Sequence, residues 1–202
     1  MKFLLATSNE AKINSYGSKL KNLGFEYVTL KDLDLNIEVE ETGTTPMDNA
    51  IIKATEYNKL SSLPTIAIDD GLYLENVPEN LQPGVNVRRV NGKRLDDKEM
   101  IEHYVNMVNT YGNNGILKGY FLKGIAICTG DKTYTFESKA SRNFTNKQSN
   151  VISNGYPLES IQIVPELNKF KSELTLEEKE QTMATDQKEV LEFLAKTLKQ
   201  LN

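Results

Sequence analysis

The chain contains a single cysteine, a single histidine and almost no surplus charge. Cys128 alone can form neither an internal disulfide nor a cysteine zinc cluster. Stability must then come from the core, and a reducing compartment, the cytoplasm, is the expected location. His103, the only histidine, falls on a predicted helix away from every motif discussed below, so it reads as a surface side chain and cannot anchor a catalytic triad. The opening apolar run stops at Thr7, far short of a signal-peptide core, and reads as a strand instead. A formal net charge of −4 offers no broad attraction for nucleic acid or an anionic membrane. Any polyanionic ligand must therefore be a small one, held by a few focused Lys and Arg side chains.

What is present is an ordinary globular composition, 39% hydrophobic and 26% charged over 202 residues. A chain of that length buries roughly 70% of its extended surface on folding, enough for one sizeable core, so residues 1–202 read as a single domain. No internal repeat or linker divides it. Residues 2–6 predict a strand, followed by the polar turn Thr7-Ser8-Asn9 and a helix marked by Ile13, Tyr16, Leu20 and Leu23 before Gly24. Residues 26–30 read as a second strand. Residues 38–44 form an acidic loop ahead of a helix reaching about Leu60, with Thr45 as cap, Pro46 at the first helical position and Asp48 closing a capping box.

Residues 63–68 are continuously apolar, as in a strand buried on both faces, and Asp69-Asp70-Gly71 bounds it. Residues 75–94 lack periodicity and read as a long functional loop. Asp96 with Glu99 opens a helix to about Thr110, and residues 120–129 with 133–136 predict a hairpin around Gly130-Asp131. A short strand follows at 161–164. Thr175 with Glu178 and Asp186 with Glu189 announce two last helices, the second amphipathic through Val190, Leu194, Leu198 and Leu201.

Three constellations could carry chemistry. The turn Thr7-Ser8-Asn9-Glu10-Ala11-Lys12 aims a helix N-terminus and one ammonium at a single point, which suits a phosphate. It lacks the glycines of a P-loop, so on its own it reads as an ordinary N-cap turn. The pairs Glu40-Glu41 and Asp69-Asp70 are hard carboxylates, the kind that hold a divalent cation against phosphates and supply a base for water. Taken singly, the first pair is also a solvated charge run and Asp70-Gly71 also a β-turn. Lys118, Lys123 and Lys139 either border a phosphate site or form solvated faces, and Cys128 reads as a small core residue.

The order of these motifs is more specific than any one of them. Thr-x-Asn-x-x-Lys from Thr7 to Lys12, Glu40-Glu41-Thr42-Gly43, a helix carrying Asn49-Ala50-Ile51-Ile52-Lys53-Ala54, then Ile66-Ala67-Ile68-Asp69-Asp70-Gly71-Leu72 and Pro83-Gly84-Val85 closely resemble the inosine triphosphate pyrophosphatase family. The likeness continues more loosely through Gly155-Tyr156 and from Glu173 to Lys179. It implies an α/β fold with a mixed, elongated, twisted sheet flanked by helices, and two lobes around a central nucleotide cleft. It also implies hydrolysis of a deaminated purine nucleoside triphosphate, such as ITP, dITP or XTP, to monophosphate and pyrophosphate, cleansing the nucleotide pool. Magnesium, or manganese in its place, is the implied cofactor, and a homodimer the implied assembly. By the same resemblance Asp69 is the catalytic base, Glu40 and Asp69 the metal ligands, and Thr7, Ser8, Asn9, Lys12, Arg89, Tyr156 and Lys179 the substrate-binding residues; Asp70, from its place on the strand, is expected to join both sets.

The chain departs from the pattern at informative places. Ile68 stands where the family has the first of two aspartates; residues two apart on a strand share a face, so Asp70 is expected to supply the missing charge. Ser15 replaces a helical glutamate. Pro157 replaces an aspartate after Gly-Tyr, and Met183-Ala184-Thr185 replaces a Ser-His-Arg triplet, both associated with reading the base. Losing such hydrogen-bonding groups weakens rejection of near-isosteric bases without touching phosphate chemistry, so a weaker inosine or xanthosine preference, or a different modified base, is expected. The alternative from another class is a nucleotide-binding sensor that has lost catalysis.

Overall fold

The computed structural model describes residues 2–181 and 185–201. Its strands are β1 (Lys2–Leu5), β2 (Glu26–Thr29), β3 (Thr65–Leu74), β4 (Arg89–Val90), β5 (Lys93–Arg94), β6 (Ile116–Thr129), β7 (Lys132–Thr145), β8 (Gln162–Val164) and β9 (Lys169–Phe170). The helices are α1 (Glu10–Asn22), α2 (Pro46–Ser61), α3 (Asp97–Tyr111), α4 (Leu176–Gln181) and α5 (Thr185–Leu201). Seven strands form one mixed sheet in the order β2-β1-β3-β6-β7-β8-β9; β1 runs parallel to β2 and β3, and β8 antiparallel to β7 and β9. This is the mixed α/β sheet with flanking helices that the motifs implied. The backbone forms two compact units, one of Met1–Asp70, Leu122–Ser138 and Thr185–Asn202, the other of Gly71–Phe121 and Lys139–Ala184.

In the first unit both sheet faces are covered. Strand alternation sends Phe3, Leu5, Ile66, Ile68, Ile125 and Ile127 to one side, where Tyr16 and Leu20 of α1 and Val190, Leu194 and Leu198 of α5 meet them. Leu4, Ala6, Ala67, Ala126 and Cys128 face the other side, against Ala50, Ala54 and Tyr57 of α2. Burying each of the α5 side chains contributes roughly 1.5–3 kcal/mol, which is why a helix from the far end of the chain docks here. Cys128 is the small core residue its strand implied. In the second unit Leu72, Leu74, Leu117 and Phe144 pack against Ile101, Tyr104 and Val108 of α3.

Local signals explain the helix ends. Asn9 caps α1 by accepting from the Ala11 and Lys12 N–H groups, and Thr45 with Asp48, Asp96 with Glu99 and Thr175 with Glu178 each close a reciprocal capping box. Three elements differ from the sequence reading. β3 does not stop at Asp69 but runs on to Leu74, because Leu72 and Leu74 have a core to enter on the second unit's side; Asp70-Gly71 is strand, not turn. The 75–94 segment holds a small hairpin, β4–β5, turning at Asn91 and Gly92, whose φ values of 50° and 79° are what a type I′ turn requires. Gln82 pins the start of that segment, accepting from the Leu74 N–H and donating to the Leu74 and Val77 carbonyls. The β6–β7 pair is also far longer than the predicted hairpin, although Gly130 and Asp131 do form its turn.

Gly124 of β6 lets the start of α2 lie directly on the sheet. A Cβ there would sit 2.6 Å from Met47 Cα and 2.6 Å from the Pro46 carbonyl carbon, both backbone atoms that cannot step aside. Gly124→Ala should therefore destabilise the chain by about 1–3 kcal/mol, read as a lower urea midpoint at unchanged slope. An unchanged midpoint would show that α2 does not depend on this close approach.

Candidate active site

Asp69 and Asp70 are neighbours on β3, so their side chains leave the strand on opposite faces, and each meets a lysine from the helix covering its face. On the α2 side, Asp69 Oδ1 accepts from Lys53 Nζ at 2.9 Å and Oδ2 from Asn49 Nδ2 at 3.3 Å. Asn49 and Lys53 are one helical turn apart and so share a face. Asn49 is only 1% exposed, and its Oδ1 accepts from the Gly43 N–H at 2.8 Å. Gly43 is required there, because a Cβ would lie 2.6 Å from Asn49 Oδ1 and 2.9 Å from its backbone nitrogen. Lys53 Nζ also reaches Glu41 Oε1 at 3.1 Å. One buried amide and one partly buried ammonium thus tie the acidic loop to Asp69.

On the α1 side, Asp70 Oδ2 lies 2.8 Å from Lys12 Nζ, and its Oδ1 lies 3.8 Å from Lys123 Nζ of β6. Lys12 also donates to the Ile68 carbonyl at 3.2 Å, which Lys53 approaches from the other face at 3.4 Å. Burial is the largest influence on the Asp70 carboxyl and would raise its pKa; the ammonium groups of Lys12, Lys123 and Lys53 together outweigh it and hold the value at about 2. For Lys12, burial likewise opposes the charge, yet Asp70 and Asp69 prevail and its pKa is raised. Tyr16, beside this cluster, has its pKa raised, chiefly by burial, with Lys123 pulling the other way.

Of the residues expected from sequence, Thr7, Ser8, Asn9 and Lys12 stand together at the start of α1. The Thr7 hydroxyl accepts from the Asn9 N–H, and Ser8 and Asn9 are exposed, so the turn opens to solvent. Glu40 is exposed on the loop beside Glu41, the neighbour whose carboxylate reaches Lys53. Asp70 does share the face of Ile68, which itself is fully in the core. Arg89, Tyr156 and Lys179 belong to the second unit: Arg89 is exposed on β4, Tyr156 is 38% exposed ahead of the buried Pro157, and Lys179 is exposed on α4. Ser15 accepts a hydrogen bond from Lys19 Nζ at 3.4 Å. His103 is half-buried against Tyr104, and burial lowers its pKa. Met183 and Ala184 lie outside the described residues.

Sequence reasoning gave Asn49 and Lys53 no site role, and left Glu41 as either a cation-holding carboxylate or a solvated charge and Lys123 as either a phosphate-site border or a solvated face. The signal was available for three of them. Asn49 and Lys53 interrupt the stripe of Ala50, Ala54 and Tyr57 on α2, and Lys123 interrupts the apolar face of Phe121, Ile125 and Ile127 on β6. A polar group inside an apolar stripe needs a partner, and both partners proved to be the β3 aspartates.

Among the described residues, no three His, Cys, Asp or Glu side chains gather as ligands for one ion. One or two hard carboxylates with the remaining oxygens coming from a polyphosphate is nevertheless how magnesium is commonly bound, so the residues fit a cation that arrives with its substrate. Among the described residues, no helix is long and apolar enough to cross a membrane.

Residues 3–187 match the Ham1 family profile. The dITP/XTP pyrophosphatase of Leptospira interrogans is 29% identical over 195 residues, 96% of this chain and 95% of that one. That of Staphylococcus epidermidis is 30% identical over 177 residues, 87% of this chain and 86% of that one. The solved Ham1 protein of Staphylococcus aureus superposes with a TM-score of 0.77 at 25% identity, over the whole of both chains.

The Asp70 cluster makes stability depend on acid. The carboxyl titrates at about 2 when folded and about 3.9 when unfolded, so its contribution, roughly 2 kcal/mol, is present above about pH 4 and lost as pH falls through 2. Asp70→Asn should lower the metal-free unfolding free energy by that amount at pH 6, with the gap closing towards pH 2. Urea titrations across pH measure it, and a gap independent of pH would refute the charge argument.

Proposed function

The chain belongs to the Ham1 family, and from that premise we propose that it hydrolyses a nucleoside triphosphate of the deaminated purine class, ITP, dITP or XTP, to the monophosphate and pyrophosphate, so clearing such nucleotides from the pool. The observation that carries the reading is the buried Asp69, fixed through both oxygens by Lys53 and Asn49 at the edge of a cluster of ammonium groups. Bond cleavage here breaks the α–β phosphoanhydride, and the protein's task is positioning and charge stabilisation more than covalent chemistry.

Asp69 takes the proton of the attacking water. Its two hydrogen bonds hold the carboxylate in one orientation, which is what a base needs before its basicity matters. Lys12 and the turn of Thr7, Ser8 and Asn9 hold phosphate oxygens at the α1 N-terminus. Lys53 offers a second ammonium to the charge that develops on the bridging oxygen. Glu40 and Asp69 would hold a divalent cation, magnesium or manganese, which would neutralise the phosphates when bound; Asp70, expected as a third ligand, leaves β3 on the opposite face and is engaged by Lys12. Arg89, Tyr156 and Lys179 are assigned to the nucleoside, with Pro157, Ala184 and Thr185 relaxing the choice of base. Residues 1–202 act as one functional domain, in a cytoplasmic homodimer, on a small-molecule substrate rather than nucleic acid or membrane.

Pyrophosphate release from a panel of common and deaminated nucleoside triphosphates, with magnesium or manganese, tests the reading. Asp69→Asn should lower turnover by about 10²–10⁴-fold. Lys12→Met should act mainly on KM. If no nucleotide of the panel yields pyrophosphate, the hydrolytic reading fails, and retained nucleotide binding would place the chain among sensors.

A further inference from the structure

Asp70 is held unequally from two sides. Its Oδ2 is in direct contact with Lys12 Nζ at 2.8 Å, whereas its Oδ1 faces Lys123 Nζ more loosely at 3.8 Å. Lys12 projects from the first turn of α1, behind the turn of Thr7 to Asn9, and is the ammonium assigned above to phosphate oxygens. Lys123 stands on β6, with its ammonium 5.7 Å from the centre of the Tyr16 ring. A carboxylate oxygen and a phosphate oxygen make the same demand of an ammonium, a short charge-assisted hydrogen bond. Of the three Lys12 donors, one goes to Asp70 and one to the Ile68 carbonyl.

A phosphate arriving at Lys12 therefore finds an ammonium whose charge Asp70 already neutralises, and the two anions repel each other across it. Asp70 cannot simply be released, because its side chain is only 26% exposed and a partly buried carboxylate without a cation is costly. Lys123 is the group placed to meet that demand, close to the oxygen that Lys12 does not use and about one ångström beyond direct contact. On the opposite face of β3 Asp69 is in direct contact with both Lys53 and Asn49.

Resting on the phosphate reading of Lys12, we propose that Asp70 is a built-in counter-ion of the phosphate subsite, which yields Lys12 to the substrate and is retained by Lys123, making Lys123 a positioning residue for triphosphate binding. In the ligand-free chain the carboxylate neutralises an ammonium that would otherwise be buried uncompensated. On binding, the phosphate replaces the carboxylate on Lys12, and the carboxylate closes onto Lys123. The binding energy of the phosphate is then reduced by the Asp70–Lys12 contact it breaks and restored in part by the Asp70–Lys123 contact that forms.

The test is calorimetric binding of inorganic tripolyphosphate to the intact chain in chelator, so that no cation takes part. Asp70→Asn removes the competitor and should tighten binding by about three- to tenfold, an outcome that damaged folding cannot produce. Lys123→Met leaves Asp70 wholly on Lys12 and should weaken binding by a similar factor, with Lys123→Arg recovering most of the loss. In the Asp70→Asn background the same Lys123→Met change should alter affinity less than about twofold, because Lys123 acts through Asp70. Equal or weaker binding by Asp70→Asn overturns the proposal, as does a Lys123→Met loss of the same size in both backgrounds, which would make Lys123 a direct phosphate ligand. Absence of binding by both the native chain and Asp70→Asn also overturns it, while pyrophosphate release decides the hydrolytic reading separately.

Discussion

The first unit is arranged around two adjacent carboxylates in the middle of a strand whose neighbouring side chains Ile66, Ala67, Ile68 and Leu72 are apolar and buried. Adjacent positions on a strand face opposite ways, so one sheet cannot satisfy both aspartates from a single side. Each face must supply its own cation, and each does so from the helix that also supplies its apolar cover: α2 brings Lys53 and Asn49 together with Ala50, Ala54 and Tyr57, and α1 brings Lys12 together with Tyr16 and Leu20. The requirement for two charge partners and the requirement for a double-sided core are met by the same two helices. Breaking either partnership would leave a buried charge uncompensated, a penalty of the same order as the net stability of a typical domain divided by a few.

The glycines show what that arrangement demands of the backbone. Gly43 lets the acidic loop come within hydrogen-bond reach of Asn49, and Gly124 lets the first turn of α2 rest on β6. In both cases the atoms a side chain would strike include backbone of the α2 N-terminal turns, so the helix is registered against the sheet to within a fraction of an ångström before any side chain is considered. That register is what puts Lys53 and Asn49 opposite Asp69. The second unit uses the same device where Gly119 lies against the backbone of Tyr73 and Leu74.

Much of this was legible in the chain itself, and the reason differs by feature. Helix starts were read correctly at Thr45, Asp96 and Thr175 because a capping box is a purely local chemistry, complete within four residues. The core face of α5 was read from periodicity, and Val190, Leu194 and Leu198 are indeed buried. The run of β3 past Asp70 was not, since a strand continues where there is a core to enter, and the core for Leu72 and Leu74 is built from α3, which lies later in the chain. The Asn91-Gly92 hairpin was a missed local signal rather than a hidden one. For the site, ordered motifs picked out Lys12, Asn9, Asp69 and Asp70, but Lys53 drew no role within its helical motif and Lys123 stayed open between a phosphate-site border and a solvated face, because lysines are so often solvated.

The exchange of an aspartate for Ile68 in the resemblance has a physical reading in these terms. A carboxylate at position 68 would point into the cluster of Phe3, Leu5, Tyr16, Leu20 and Ile125, one alternation closer to the core than Asp70 on the same face. At position 70 the charge stands at the margin of that cluster, in reach of Lys12 and of a further cation on the neighbouring strand. Isoleucine at 68 adds a well-packed side chain to the α1 and α5 face, and the negative charge moves outward by two residues to where water and two ammonium groups can compensate it. The cost is that Asp70, unlike a residue deeper in the face, shares its closest cation with whatever anion the α1 N-terminus receives. A charge that stabilises the empty site on that cation necessarily competes with the ligand, and Lys123 limits how much is lost by giving the displaced carboxylate a second place to rest.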